Sequence, residues 1–183
     1  MVIRILLFWL ATFAVQAAEV AGVKLEDKAS VAGTELALKG AGLRKRLVFQ
    51  VYAIGLYVAD RKADPIAQGG AKRVAIHMLR NVDADEFAKA LVDGMRPNHD
   101  EATMKGLEPR IAQLNAIMAG IKEAKKGMAI ALDWIPGSGT QVTIDGRAAG
   151  KPIEGEDFYR ALLRIWLGDK PVQDDLKKAL LGG

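Results

Sequence analysis

The order of segments along the chain predicts an α+β fold: a mainly antiparallel sheet with helices packed on one face. Three observations point to it. Strand-like runs come in groups and do not alternate one for one with helices, so a parallel βαβ architecture is disfavoured. Two runs joined by Pro136-Gly137-Ser138-Gly139 read as a hairpin. Later in the chain, apolar residues recur with helical spacing in several separate stripes.

The first element is not part of that fold. Arg4 supplies a positive start, residues 5–15 are apolar and uncharged, and small residues follow. The run is short for a membrane span, and Val15-Gln16-Ala17 or Gln16-Ala17-Ala18 offers a cleavage site. Residues 1–18 are therefore expected to be a signal peptide, with the mature chain beginning at Ala18 or Glu19. That leaves about 165 residues for one domain, 19–183, with a real core. No second apolar stretch reaches membrane length, so no stable membrane anchor is expected after cleavage. A periplasmic or secreted protein, of bacterial type, is the expectation.

Short strand-like pieces follow at 20–25 and 35–38, then a longer one at 46–59. Arg46, Val48, Gln50, Tyr52, Ile54, Leu56 and Val58 share one face of it, and Leu47, Phe49, Val51, Ala53, Gly55, Tyr57 and Ala59 the other. Both faces are largely apolar, which predicts a strand covered on both sides. Residues 73–79 read as another strand. Asp83-Ala84-Asp85-Glu86 has capping-box spacing and predicts a helix to about Met95, with Phe87, Leu91 and Met95 facing inward. Leu107, Ile111, Leu114, Met118 and Ile121 form a second helical stripe, with Pro109 expected in its first turn. Strands at 128–135 and 141–145 flank the hairpin turn. Phe158, Leu162, Ile165 and Trp166 mark a third helix, closed by Gly168 and Pro171, and Leu176, Leu180 and Leu181 a short last one.

Composition removes several functions. The chain has no cysteine, which excludes disulfides and thiolate chemistry. Its two histidines, His77 and His99, make a poor metal set. No P-loop, dinucleotide fingerprint or Gly-x-Ser-x-Gly elbow occurs, so neither a cofactor nor a metal is expected. The formal charge of +4 is spread over short basic runs without interleaved aromatics, and nucleic-acid binding is not expected. What remains is Gly40-Ala41-Gly42-Leu43-Arg44 and the following strand with Tyr52, Gly55 and Tyr57. Glycines beside an arginine let backbone and guanidinium approach one ligand, and Tyr52 adds a hydroxyl to an apolar face. On spacing alone, the favoured reading is the plainer one, with Arg44 a solvated turn residue and Tyr52 a core aromatic.

The segment from Gly40 to Tyr57 resembles the start of the chalcone isomerase fold, with a Gly-x-Gly-x-Arg turn and an Ile-Gly-aromatic strand. Ile153-Glu154-Gly155-Glu156-Asp157-Phe158, Ile165-Trp166-Leu167-Gly168 and Pro171-Val172 resemble that family's last helix and the segment after it. The resemblance covers nearly all of the mature chain and is nearest to exported bacterial chalcone-isomerase-like proteins. It implies a chemistry that closes a flavanone ring by intramolecular conjugate addition, with an arginine on the phenolate and polar groups on the enone carbonyl. The implied arginine is Arg44. The isomerase's carbonyl-side threonine falls at Tyr52, its helix tyrosine near Phe87 and its helix asparagine near Gly94, so two hydrogen-bonding side chains are absent. Non-catalytic members that bind fatty acids are similar in keeping the arginine with a tyrosine on the next strand. The resemblance thus implies a non-catalytic binder of a small amphipathic ligand, such as a fatty acid, through Arg44 and Tyr52. An intramolecular lyase or isomerase, and a periplasmic interaction protein with a vestigial cleft, are the alternatives.

Overall fold

A computed structural model describes residues 17–183. The expected signal peptide, apart from Ala17 and Ala18, lies outside the described residues. The strands are β1 (Ala18–Val20), β2 (Val23–Leu25), β3 (Lys28–Val31), β4 (Thr34–Arg46), β5 (Phe49–Val58), β6 (Lys72–Met78), β7 (Val82–Asp83), β8 (Glu123–Ala124), β9 (Ala129–Ile135), β10 (Gly139–Ile144) and β11 (Arg147–Ile153). The helices are α1 (Ala84–Met95), α2 (Glu101–Ala119), α3 (Glu156–Leu167) and α4 (Asp174–Leu180). Seven strands form one antiparallel sheet in the order β11-β10-β9-β6-β5-β4-β3. This is the expected α+β class, and its main core lies between the sheet and the helices.

The two-residue period of β5 and β6 sorts side chains between two cores. Tyr52, Ile54, Leu56, Val58, Val74, Ile76 and Met78 meet α1 and α3 on one face. On the other face, Leu25, Val31, Leu36, Leu38 and Tyr57 form a smaller cluster under the β1–β2 hairpin. The central strand is thus covered on both sides, as its two apolar faces predict. Helix α1 begins where its cap predicts: the Asp83 carboxylate accepts from the amides of Asp85 and Glu86 at 2.9 and 3.2 Å. Its inner face buries Phe87, Leu91 and Met95.

Several boundaries differ from expectation. The predicted strand 46–59 is broken, because β4 ends at Arg46 and Leu47-Val48 turn the chain into β5. Neither turn residue carries a turn signal, so the break is invisible to pattern. Helix α2 starts earlier than its stripe suggests, capped by Asp100 accepting from the Thr103 amide at 2.7 Å, and Pro109 is in its interior. The predicted strand 20–25 is the end of β1, a turn and β2, and β3, β7, β8 and β11 have no counterpart among the expected strands. The Gly40–Arg44 segment is not a turn but the middle of β4.

Candidate ligand-binding site

Arg44 and Tyr52 are direct cross-strand partners in the β4–β5 ladder, which brings both side chains to one place on the helix face. They line a cleft of 730 Å³ between the β4–β5 hairpin, α1 and the segment after α3. Its apolar wall includes Phe49, Val51, Phe87, Leu91, Ile165 and Val172. Arg46, Arg80 and Lys170 add positive charge to the rim, while Asp83, Glu86 and Asp93 place negative charge on the α1 side.

Tyr52 is buried, at 6% exposure. Its hydroxyl accepts a hydrogen bond from the Trp166 indole Nε1 at 2.9 Å. A phenol has one proton to donate, and a bond received from an indole N–H leaves that proton uncommitted. Burial pushes the Tyr52 phenol above its ordinary value, while the Trp166 bond and the Arg44 charge pull it back. At neutral pH it is therefore a neutral donor beside a cation. The Phe87 ring meets the Tyr52 ring edge-on, with centroids 6.2 Å apart, and holds it in place.

The Arg44 guanidinium is fixed from outside the cleft. Its Nη1 donates to the Lys45 carbonyl and to Gln173 Oε1, the latter at 3.3 Å. Gln173 also accepts from the Lys45 amide at 2.8 Å and donates to the Leu43 carbonyl at 3.0 Å. It thereby extends the β4 backbone pairing with a side chain. Among the described residues Arg44 has no carboxylate within ion-pair distance. Trp166 and Gln173 were not recognised as part of the site from the sequence. Trp166 is legible only as one member of a helical stripe, and Gln173 is an isolated residue whose partners are about 130 positions away.

The glycines of Gly40-x-Gly42 have a different role from the one expected. A Cβ at Gly42 would stand 2.6 Å from Leu176 Cδ1, and one at Gly40 would overlap the carbonyls of Ala179 and Leu180. They let α4 lie directly on β4, and it is Gln173, the N-cap residue at the start of α4, that steadies Arg44. The positions of Phe87 and Gly94 also line the cleft. A Cβ at Gly94 would lie 2.8 Å from Ile165 Cγ2 and 3.0 Å from Val172 Cγ1, so the packing of α1 on α3 leaves no room for a longer side chain. The cleft therefore offers a cation and a phenol at one end of an apolar wall, with no hydrogen-bonding side chain at position 87 or 94.

His77 is on the opposite face of β6, half-buried, where loss of hydration pushes its imidazole below its ordinary value. Among the described residues no cluster of His, Asp or Glu could hold a metal ion. No helix among them is long and apolar enough to cross a membrane.

No curated protein matches the chain. Among solved structures it is similar to a fatty-acid binding protein of Arabidopsis thaliana, with a TM-score of 0.65 and 16% identity over 87% of this chain and 92% of that one. At that identity the likeness speaks for the fold. Residues 17–182 match the chalcone isomerase-like family. With nearly every described residue inside that match, the chain belongs to the chalcone isomerase-like family.

Proposed function

We propose that the cleft binds, without transforming it, a small amphipathic molecule with a carboxylate head, such as a fatty acid. The observation that carries the reading is the pairing of an arginine without a carboxylate partner and a phenol with an uncommitted proton on the lining of one cleft with an apolar wall. A carboxylate accepts from both, and charge-assisted bonds of this kind are about twice as strong as neutral ones. The hydrocarbon tail lies along Phe87, Leu91, Ile165 and Val172. The volume falls within the roughly 300–1,000 Å³ of small-molecule sites. The fatty-acid binding protein of the same fold supports this choice of ligand class.

Ring closure of a chalcone needs groups that polarise the carbonyl as well as an arginine. Each such group contributes on the order of 10²–10³-fold in rate. Phe87 and Gly94 supply none, and the Ile165 and Val172 contacts keep position 94 closed to a longer side chain. Residues 1–18 are proposed as a cleaved signal, so that the protein works outside the cytoplasm.

The test is extraction of the protein purified from its own cells, followed by mass spectrometry of small molecules and of the N-terminus. A carboxylate lipid in stoichiometric amount and a start at Ala18 or Glu19 are expected. A chalcone cyclisation rate above the spontaneous one, abolished by Arg44→Ala, would overturn the non-catalytic reading. An intact Met1 would overturn export.

A further inference from the structure

The turn between β4 and β5 contradicts ordinary hairpin chemistry. Two-residue hairpin loops favour Asn and Gly, because their tight geometry requires positive φ. Here the loop is Leu47-Val48, and Leu47 takes φ +54°. That conformation is rare for a leucine and easier for asparagine or glycine. Nothing in the packing compensates: Leu47 is 91% exposed, Val48 87% and Phe49 53%. The β9–β10 hairpin turns with glycines in positive φ at 137 and 139, and β10–β11 turns with Asp145 and Gly146, residue types that suit that region. A local rule broken without a packing gain is the kind of departure that marks a functional site.

The surroundings of this tip say what it meets. Lys45 and Arg46 precede it, and the Arg80 guanidinium sits 4.8 Å from the centre of the Phe49 ring. From Leu36 to Ala59 the sequence contains no acidic residue. Exposed apolar side chains ringed by cations match the boundary of an anionic bilayer, where apolar groups enter the acyl layer and cations meet phosphates. Three side chains are too few for a stable protein interface, which takes about 800 Å² from each partner. Leu47 and Phe49 also line the mouth of the cleft.

We propose that the Leu47-Val48 tip is a wedge that docks the protein on anionic lipid bilayers, with Lys45, Arg46 and Arg80 on the headgroups. The cleft mouth then faces the bilayer, and an amphipathic ligand passes between the two without crossing water. The acidic residues of α1, across the mouth, confine insertion to the hairpin side. The docking stands on the hairpin; only its purpose rests on the ligand reading.

The experiment is co-sedimentation of the purified chain with vesicles of phosphatidylcholine alone or mixed with phosphatidylglycerol. Binding is expected to the mixed vesicles and to weaken with salt. Leu47→Asn/Val48→Ser is expected to lower the partition coefficient at least ~10-fold. Lys45→Glu/Arg46→Glu should lower it roughly fivefold or more for each cation lost. Asparagine tolerates the Leu47 backbone, so the melting temperature of the first variant should not fall. Equal vesicle binding by wild type and the Leu47→Asn/Val48→Ser variant, or none by either, overturns the proposal. A wild-type dimer in sedimentation equilibrium that this variant abolishes would assign the tip to a second copy instead and overturn it too. Oleate binding, measured on the same proteins without vesicles, keeps the two readings apart. Vesicle binding that persists without oleate binding sinks the ligand reading alone.

Discussion

Tyr52 and Tyr159 are both buried in the helix-side core and both hydrogen-bonded, and each feels the charge of an arginine, Tyr159 that of Arg73 from the other face of the sheet, yet they stand in opposite situations. Tyr52 accepts its bond from Trp166, so its proton is uncommitted. Tyr159 donates its proton to the Leu132 carbonyl at 3.1 Å. The arginines differ in the same way. Arg73 is held by both oxygens of Asp133, at 2.6 Å each, whereas Arg44 meets only neutral acceptors. The Tyr52 end opens into a 730 Å³ cleft, and the Tyr159 end is packed against Trp134 with ring centroids 6.1 Å apart. Residue type does not separate the proposed ligand site from a structural network here. What separates them is whether the donors are already occupied.

The largest expected effect lies at the occupied end. Arg73→Ala strands the nearly buried Asp133 carboxylate and should cost about 3 kcal/mol in urea denaturation. Arg44→Ala strands no carboxylate, and its stability should stay within about 0.5 kcal/mol of wild type. Equal losses in the two variants would break the comparison. Gly94→Asn tests the closed wall of the cleft. Overpacking against Ile165 and Val172 should cost roughly 1–3 kcal/mol and restore no chalcone cyclisation.

A matched pair of smaller changes is sharper. Tyr159→Phe and Tyr52→Phe should each lower stability by about 1 kcal/mol, because each removes one buried hydrogen bond. Only Tyr52→Phe should also weaken binding of a carboxylate ligand. An effect of Tyr159→Phe on that binding would mean that the two ends are coupled.

The smallest effect is one of order in titration. Burial raises all three tyrosines above the ordinary phenol value, Tyr57 to about 12. A phenol whose folded value is raised keeps its full contribution to stability below pH of about 10, and loses it as pH climbs through the folded value. Tyrosinate absorbance should therefore be nearly absent in the folded protein at pH of about 10. Tyr52, pulled back by Trp166 and Arg44, should ionise before Tyr159, which the neighbouring Asp133 charge pushes further up. Tyr52→Phe should therefore remove the earlier of the Tyr52 and Tyr159 steps, and loss of the later one instead would reverse the order.

Much of the fold was legible because its signals are local. Asp83 caps α1, Phe87, Leu91 and Met95 mark its inner face, and the β9–β10 turn carries its glycines. The misread parts depend on partners distant in sequence. Gly40 and Gly42 look like turn residues until α4, over 130 positions on, is laid against them. Leu47-Val48 continues an apolar alternation through what is a turn. For the site, elimination singled out Arg44 and Tyr52, and the family resemblance raised that pair above the plainer reading of a turn residue and a core aromatic. The strand register then places them side by side. Gln173 and the Trp166 bond were beyond reach, since no pattern links them to β4 and β5.

The central claim is that Arg44 and Tyr52 hold a carboxylate. Its most direct test is calorimetric titration of a long-chain fatty acid and its methyl ester into wild type and Arg44→Ala. The ester keeps the tail and removes the charge. The wild type should prefer the acid by roughly 10- to 100-fold, the worth of hydrogen bonds to a charged group. In Arg44→Ala most of that preference should vanish, while ester affinity stays the same. Equal affinity of the wild type for acid and ester, or an acid preference untouched by Arg44→Ala, would contradict it.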